Sequence, residues 1–225
     1  MRTESIEDYL KAIYDIQKEM GKVSTNSLSE KLNVAPASVT SMIKKLSLKK
    51  LLTYKRYQGV KLTKAGQKIA LEIIRHHRLI ELYLQEALGV PWDLVHDEAE
   101  KWEHVISEDL EERIDKKLGY PISDPHGSPI PKRDGTVIEL DSIPLTDLKP
   151  GQTGEVAKVS DHDPKLLRYI GDMGLYPKAK VKVVSVEPFS GPLTINVEKN
   201  KYIIGSEAAQ YISITNIKFS KSELI

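Results

Sequence analysis

The chain has 225 residues, 40% of them apolar and 29% charged, and no cysteine. That length can bury a core in one to a few domains. The missing cysteine excludes a disulfide framework and limits any transition-metal site to His, Asp, Glu, Met, carbonyl or water ligands. No apolar run approaches the ~20 residues of a membrane span. Met1-Arg2-Thr3-Glu4 leads into an amphipathic pattern and not a signal sequence, so a cytoplasmic protein without membrane contact is expected.

The net charge of +1 conceals a segregation of signs. Residues 1–75 carry 15 Lys/Arg against 7 Asp/Glu, residues 76–140 carry 7 against 15, and residues 141–225 carry 11 against 10. A basic head joined to an acidic middle points to a polyanion-binding module followed by a segment that attracts cations. Two ordinary solvated surfaces would carry the same charges.

In chain order, Ile6, Tyr9, Leu10, Ile13, Ile16 and Met20 recur at helical spacing, with Ser5 as N-cap and Gly21 as stop. A short helix follows at about Asn26–Leu32, capped by Ser24 or Thr25. A third begins near Pro36, where a missing N–H is harmless, with Val39, Met42, Ile43 and Leu46 inward. Leu51–Tyr54 and Val60–Leu62 predict two strands around the basic tip Lys55-Arg56-Tyr57-Gln58-Gly59. Thr63 caps a long helix ending at Gly89, Pro91 opens another to about Ile106, and Ser107 caps a third that stops at Gly119. From Ser123 to Pro150 five prolines and no sustained period predict a linker or extended wrap. Beyond it, Gly154–Val159, Lys180–Val186, Leu193–Val197, Tyr202–Ile204 and Tyr211–Ile214 predict short strands of a small β-barrel, with a helix at Pro164–Met173.

Helix, short helix, turn, helix and two-stranded wing is the winged helix-turn-helix order, in which the second helix of the pair enters the major groove. Its N-terminal positions here, Ala35, Pro36, Ala37, Ser38, Thr40 and Ser41, are small or hydroxylated. No Arg or Asn is placed to grip guanine or adenine, so base readout leans on methyl contacts and DNA shape. Lys44, Lys45, Lys49, Lys50, Lys55 and Arg56 suit phosphate contacts, which give affinity and register. The alternative is a winged-helix scaffold used for protein contact.

His77 and Glu81 share a helix face, and His96, Glu100, Glu103 and His104 share another at i, i+4, i+7 and i+8. Two helices projecting His and Glu inward is how bundles build carboxylate–imidazole metal sites. Solvent-facing residues on amphipathic helices would give the same spacing.

Three blocks carry a resemblance: Ser5-Ile6-Glu7-Asp8-Tyr9-Leu10-Lys11-Ala12-Ile13-Tyr14, Arg75-His76-His77-Arg78-Leu79-Ile80-Glu81, and Val95-His96-Asp97-Glu98-Ala99-Glu100-Lys101-Trp102-Glu103-His104. With Pro125-His126-Gly127, Ile130-Pro131 and Gly171-Asp172-Met173-Gly174-Leu175, the whole chain resembles the diphtheria-toxin-repressor family of iron- and manganese-dependent regulators, in its long form with a C-terminal SH3-like domain. The resemblance implies an α+β multidomain chain. It would comprise a winged helix-turn-helix at 1–74, a helical dimerisation and metal-binding domain at 75–140, a linker at 141–150 and an SH3-like small β-barrel at 151–225. It implies a primary metal site on Asp8, Glu100, Glu103 and His104 and a second on His77, Glu81 and His96. Asp163, then Asp161 or His162, would complete the second from the C-terminal domain, and Asp124 is a further candidate. Asp8 also has a local explanation, as the acidic half of a capping box with Ser5.

Iron-sensing members of the family place a Met and a Cys where this chain has Asp8 and Glu100, and carboxylates there make a harder site that favours Mn2+, with Fe2+ the alternative. Co2+, Ni2+, Zn2+ or Cd2+ are expected to bind in vitro. Short manganese-sensing members carry a Glu one turn after the aspartate; Lys11 stands there in this chain, which argues against a closely spaced two-metal cluster. The resemblance implies a homodimeric repressor of metal-uptake genes on a palindromic double-stranded operator, with no small organic ligand and no enzymatic activity. A metal-dependent hydrolase is the reading of another class, but no His-Glu-x-x-His, Gly-x-Ser-x-Gly or phosphate-cradling glycine loop supports it. A metal-independent winged-helix regulator whose acidic face binds a protein is the third.

Overall fold

The computed structural model describes residues 3–55 and 59–219. The chain divides into two compact units, one of Met1–His77, Glu100–Glu111 and Pro131–Val137, the other of Arg78–Ala99, Glu112–Ile130 and Ile138–Ile225. No helix among the described residues is long and apolar enough to cross a membrane.

The first unit opens with α1 (Glu4–Met20), α2 (Thr25–Leu32) and α3 (Pro36–Leu48), followed by the hairpin β1 (Leu52–Lys55) and β2 (Gly59–Leu62). In α1 the face of Ile6, Tyr9, Leu10, Ile13 and Ile16 is buried. Each large aliphatic side chain so removed from water contributes about 1.5–3 kcal/mol. The helix starts two residues earlier than the sequence predicts, with Thr3 and not Ser5 at the N-cap. Ser5 is therefore helical and caps nothing, and the capping-box explanation of Asp8 falls. Ser24 caps α2 in a reciprocal pair with Ser27, and Pro36 occupies the first turn of α3. The Thr63 hydroxyl donates to the Lys50 carbonyl at 2.8 Å and accepts from the Gly66 amide at 3.2 Å, fastening the hairpin to the start of α4 (Lys64–Leu88).

Helix α5 (Val95–Trp102) is shorter at both ends than the expected span from Pro91 to Ile106. Pro91–Leu94 is a turn, with the Leu94 amide bonded to the Pro91 carbonyl at 2.9 Å. After Trp102 the chain turns again, the amides of Val105 and Ile106 both bonding the Trp102 carbonyl. Ser107, whose Oγ accepts from the Leu110 amide at 3.2 Å, needs extended backbone to cap α6 (Glu108–Lys117), so the preceding helix must end first. Glu103 and His104 consequently lie in a turn, not on a continuous helix face.

The second unit is built around an antiparallel sheet of order β3-β8-β4-β5-β6-β7. Its members are β3 (Ile143–Pro144), β4 (Gln152–Val159), β5 (Lys180–Val186), β6 (Leu193–Val197), β7 (Asn200–Ile204) and β8 (Ile212–Phe219). Helices α7 (Pro164–Asp172) and α8 (Ser206–Ala209) interrupt it. Register shifts within β4 and β5 bend the sheet around one core, in which Leu145, Val159, Leu167, Val183, Ile195 and Ile212 are buried. Residues 141–150 are not the linker that the proline pattern predicts: Ile143 and Pro144 pair with β8, and Leu145 and Leu148 join the core. Two residues of strand leave no readable alternation, which is why the pattern hid them.

Gly127 closes the turn after His126 with φ +89°, and a Cβ there would stand 2.1 Å from the Ala157 carbonyl oxygen of β4. The Val159 amide also donates to the His126 carbonyl at 2.9 Å, so β4 and this turn fix each other. Gly127→Ala is expected to cost about 2 kcal/mol or more, from the left-handed backbone and the clash with backbone that cannot move away. Differential scanning calorimetry should show Tm lowered by roughly 4–8 °C.

Candidate metal centre

In the first unit, α1 presents Glu7, Asp8 and Lys11 toward the turn that carries Glu103 and His104. Ligand atoms of Asp8, Glu103 and His104 lie within 4.8 Å of one another. His104 Nε2 donates to Asp8 Oδ1 at 2.9 Å and Nδ1 to Glu7 Oε2 at 2.8 Å. The bond to Asp8, helped by Glu7 and Glu103 against the penalty of burial, raises the imidazole to about 9. Glu7, absent from the expected ligand set, orients the ring through the nitrogen that a ligating Nε2 leaves free, the usual arrangement of carboxylate, imidazole and cation. Its only signal in the sequence is that it neighbours Asp8.

Glu103 is the buried member, 1% exposed. Burial alone would favour its neutral form, but His77, in close hydrogen-bond contact, and Lys11 outweigh it and hold the carboxyl below the ordinary range. The His76 Nδ1 donates to the Glu103 main-chain carbonyl at 3.1 Å, fixing the turn. Burial would strip the proton from His76; Glu111 and that carbonyl outweigh it and raise its affinity for the proton. Glu100, expected beside Asp8, instead accepts from Lys11 at 3.1 Å and groups with His77 and Glu103.

In the second unit Glu81, Asp124 and His126 form a fully buried group with the same ligand spacing. His126 Nε2 donates to the Trp92 carbonyl at 2.7 Å, so that Nδ1 is the nitrogen open to a ligand. That Nδ1 is buried with no hydrogen bond among the described residues, 3.9 Å from Glu81 Oε1. Asp124 Oδ1 accepts from the amides of His126 and Ser128 at 2.8 and 2.9 Å, while Oδ2 has no hydrogen bond among the described residues and lies 3.6 Å from Arg78 Nε. Burial, with the Glu81 charge beside it, pushes Asp124 up to about 7 despite Arg78 and His126. Buried polar atoms of this kind are normally satisfied, and a cation would satisfy both. His96 Nδ1 lies 3.4 Å from Glu81 Oε1.

Of the C-terminal candidates, Asp163 is taken by its own helix, accepting from the Lys165 amide at 2.8 Å as N-cap of α7. His162 is exposed. Asp161 lies in the field of the buried group: burial and Glu81 push its carboxyl up, and His126, His162 and His96 outweigh them and lower it. The ranking that put Asp163 first is reversed, because a residue just before a helix-opening Pro164 serves the helix. His126, quoted in the sequence but given no role there, is the member that spacing could not reveal.

Ala35, Pro36, Ala37, Ser38, Thr40, Ser41, Lys44, Lys45 and Lys55 are all exposed, as a nucleic-acid surface requires. The Thr40 hydroxyl is turned back onto the Pro36 carbonyl at 2.9 Å. Arg56 lies outside the described residues.

Three family profiles match in chain order. They are the iron dependent repressor N-terminal DNA binding domain at residues 1–60, the iron dependent repressor metal binding and dimerisation domain at 63–132, and the FeoA domain at 143–216. The chain is 32% identical over 192 residues to the iron-dependent repressor IdeR of Mycobacterium leprae, covering 80% of this chain and 84% of that protein. It is 36% identical over 120 residues to the HTH-type transcriptional regulator MntR of Oceanobacillus iheyensis, covering 53% of this chain and 81% of that one. A solved manganese-dependent transcriptional repressor in complex with manganese is similar at a TM-score of 0.87 and 39% identity, over 93% of this chain and 99% of its own.

Because His104 keeps its proton up to about 9 in the metal-free chain, a cation bound through Nε2 must displace that proton. Affinity at this centre should therefore rise as pH rises toward 9. Calorimetry at pH 7.5 in buffers of different ionisation enthalpy should find about one more proton released by the wild type than by His104→Gln. Equal release by the two would remove His104 from the ligands.

Proposed function

The chain belongs to the iron-dependent repressor family of metal-dependent transcriptional repressors, and from that premise we propose that it binds operator DNA as a homodimer when Asp8, Glu103 and His104 hold a divalent cation. The observation that carries this reading is the convergence of those three side chains, one from the first helix of the DNA-binding domain and two from the turn after α5. A cation bound there supplies the positive charge that lets the three groups approach without protons or mutual repulsion. Asp8 then ties α1 to the turn, Glu7 keeps the His104 ring oriented, and His76 keeps the turn in place. In a dimer, a fixed α1 would hold the two α3 helices near the spacing of about 34 Å that a palindromic site demands. Without the tie, apparent affinity falls with the competent fraction of the protein.

Oxygen and imidazole donors without sulfur favour Mn2+ as the cellular ion, and the genes controlled are those of metal uptake. Fe2+ is the second reading, favoured by the similarity to IdeR. For the second unit we propose a second cation on Glu81, Asp124 and His126, with Asp161 and His96 nearby. Ala37, Ser38, Thr40 and Ser41 would face bases, and Lys44, Lys45 and Lys55 phosphates.

Mobility-shift titration on the chain's own promoter with EDTA, Mn2+ and Fe2+ tests the reading. Binding is expected only with metal, and Glu103→Ala or His104→Ala should reduce the metal-stimulated affinity at least tenfold while leaving a folded dimer. Equal binding in EDTA, or unchanged stimulation in either variant, would overturn it.

A further inference from the structure

Lys11 stands on α1 three residues after Asp8, on the same face. Its Nζ donates to both carboxylate oxygens of Glu103, at 2.9 and 2.7 Å, and to Glu100 Oε1 at 3.1 Å, and it lies 3.2 Å from His77 Nδ1. The side chains of Lys11 and Glu103 are 15% and 1% exposed, so this is no surface ion pair. Independently of Lys11, ligand atoms of His77, Glu100 and Glu103 lie within 4.8 Å of one another, the spacing of a divalent-cation site. The ammonium sits among the same three residues that such a cation would use.

We propose that the Lys11 ammonium is the resident cation of the His77–Glu100–Glu103 group, so that the first centre accepts one divalent ion, on Asp8, Glu103 and His104, and excludes a second. This inference rests on the metal-dependent reading above. An ammonium presents three donors and no acceptor, which matches the three carboxylate oxygens of Glu103 and Glu100 that it meets. Its tether to the backbone of α1 makes it an intramolecular competitor, present at high effective concentration against any free ion. A dication among His77, Glu100 and Glu103 would have to displace the ammonium from all three residues, whereas one on Asp8, Glu103 and His104 shares only Glu103 with it. Burial works against the charge on Lys11, and Glu103 and Glu100 outweigh it, so the ammonium holds its proton more firmly than an exposed lysine. Glu103 is thereby compensated before a divalent ion arrives, and Asp8 and His104 join it in holding that ion.

The test counts metal directly. Full-length wild type, Lys11→Ala, Lys11→Arg and the double variant Lys11→Ala/His77→Ala are dialysed to equilibrium against Mn2+, and the bound ion is measured by mass spectrometry. Lys11→Ala should bind about one more Mn2+ per chain than wild type. Lys11→Arg should match wild type, and the double variant should lose the gain. In EDTA, Lys11→Ala should melt below wild type, with saturating Mn2+ removing the difference; where Ala prevents folding, Lys11→Gln replaces it. Equal stoichiometry in a folded Lys11→Ala and wild type overturns the inference, as does a gain that survives His77→Ala. His104→Ala separates this from the parent reading: if it binds as much Mn2+ as wild type, the Asp8–Glu103–His104 site itself fails. If it binds one ion fewer while Lys11→Ala gains none, only the role of Lys11 is refuted.

Discussion

The first unit is organised around one carboxylate that water does not reach. Glu103 is almost fully buried, and an ionised group in that position is tolerated only with charge and hydrogen bonds supplied from all sides. Lys11 supplies the charge from α1, His77 a hydrogen bond from α4, and His76 holds the main chain that carries it. Each of these contacts joins segments far apart in sequence, so the compensation of one charge also fixes how the first helix meets the turn after α5. Asp8 and His104 lie at the edge of this arrangement, where the charge balance is still open to change, Asp8 being 43% exposed.

The second unit handles the same problem in the opposite way. There the carboxyl of Asp124 is buried beside Glu81, and its proton affinity is raised instead of lowered. The lone pair of His126 Nδ1 faces the same group, fixed in direction by the bond from Nε2 to Trp92. Glu103 therefore has its charge compensated by residues of the chain, whereas burial and Glu81 drive Asp124 toward its neutral form. Two cation sites built in this way would differ in affinity.

The C-terminal sheet contributes to the second centre through backbone as much as through side chains. Strand β4 approaches Gly127 so closely that only a glycine fits, and its last residue bonds the His126 carbonyl. Asp161 follows two residues after that strand ends, in the field of Glu81 and His126.

The sequence by itself determined the order of elements and the chemistry available. Helical spacing placed the buried face of α1, the turn residues bounded α2 and α3, and the absence of cysteine restricted any metal site to oxygen and imidazole donors. It could not show that α5 ends at Trp102, because the stop is imposed by the cap of the next helix and not by a breaker residue. Nor could spacing along helices reveal the roles of Glu7, His126 and Lys11. Their significance comes from acceptors and donors brought up from 34 to 97 residues away in the chain. Only the folded chain decides which carboxylate meets which imidazole, because a buried charge selects its partners by proximity in space, and periodicity records only which face of an element is hidden.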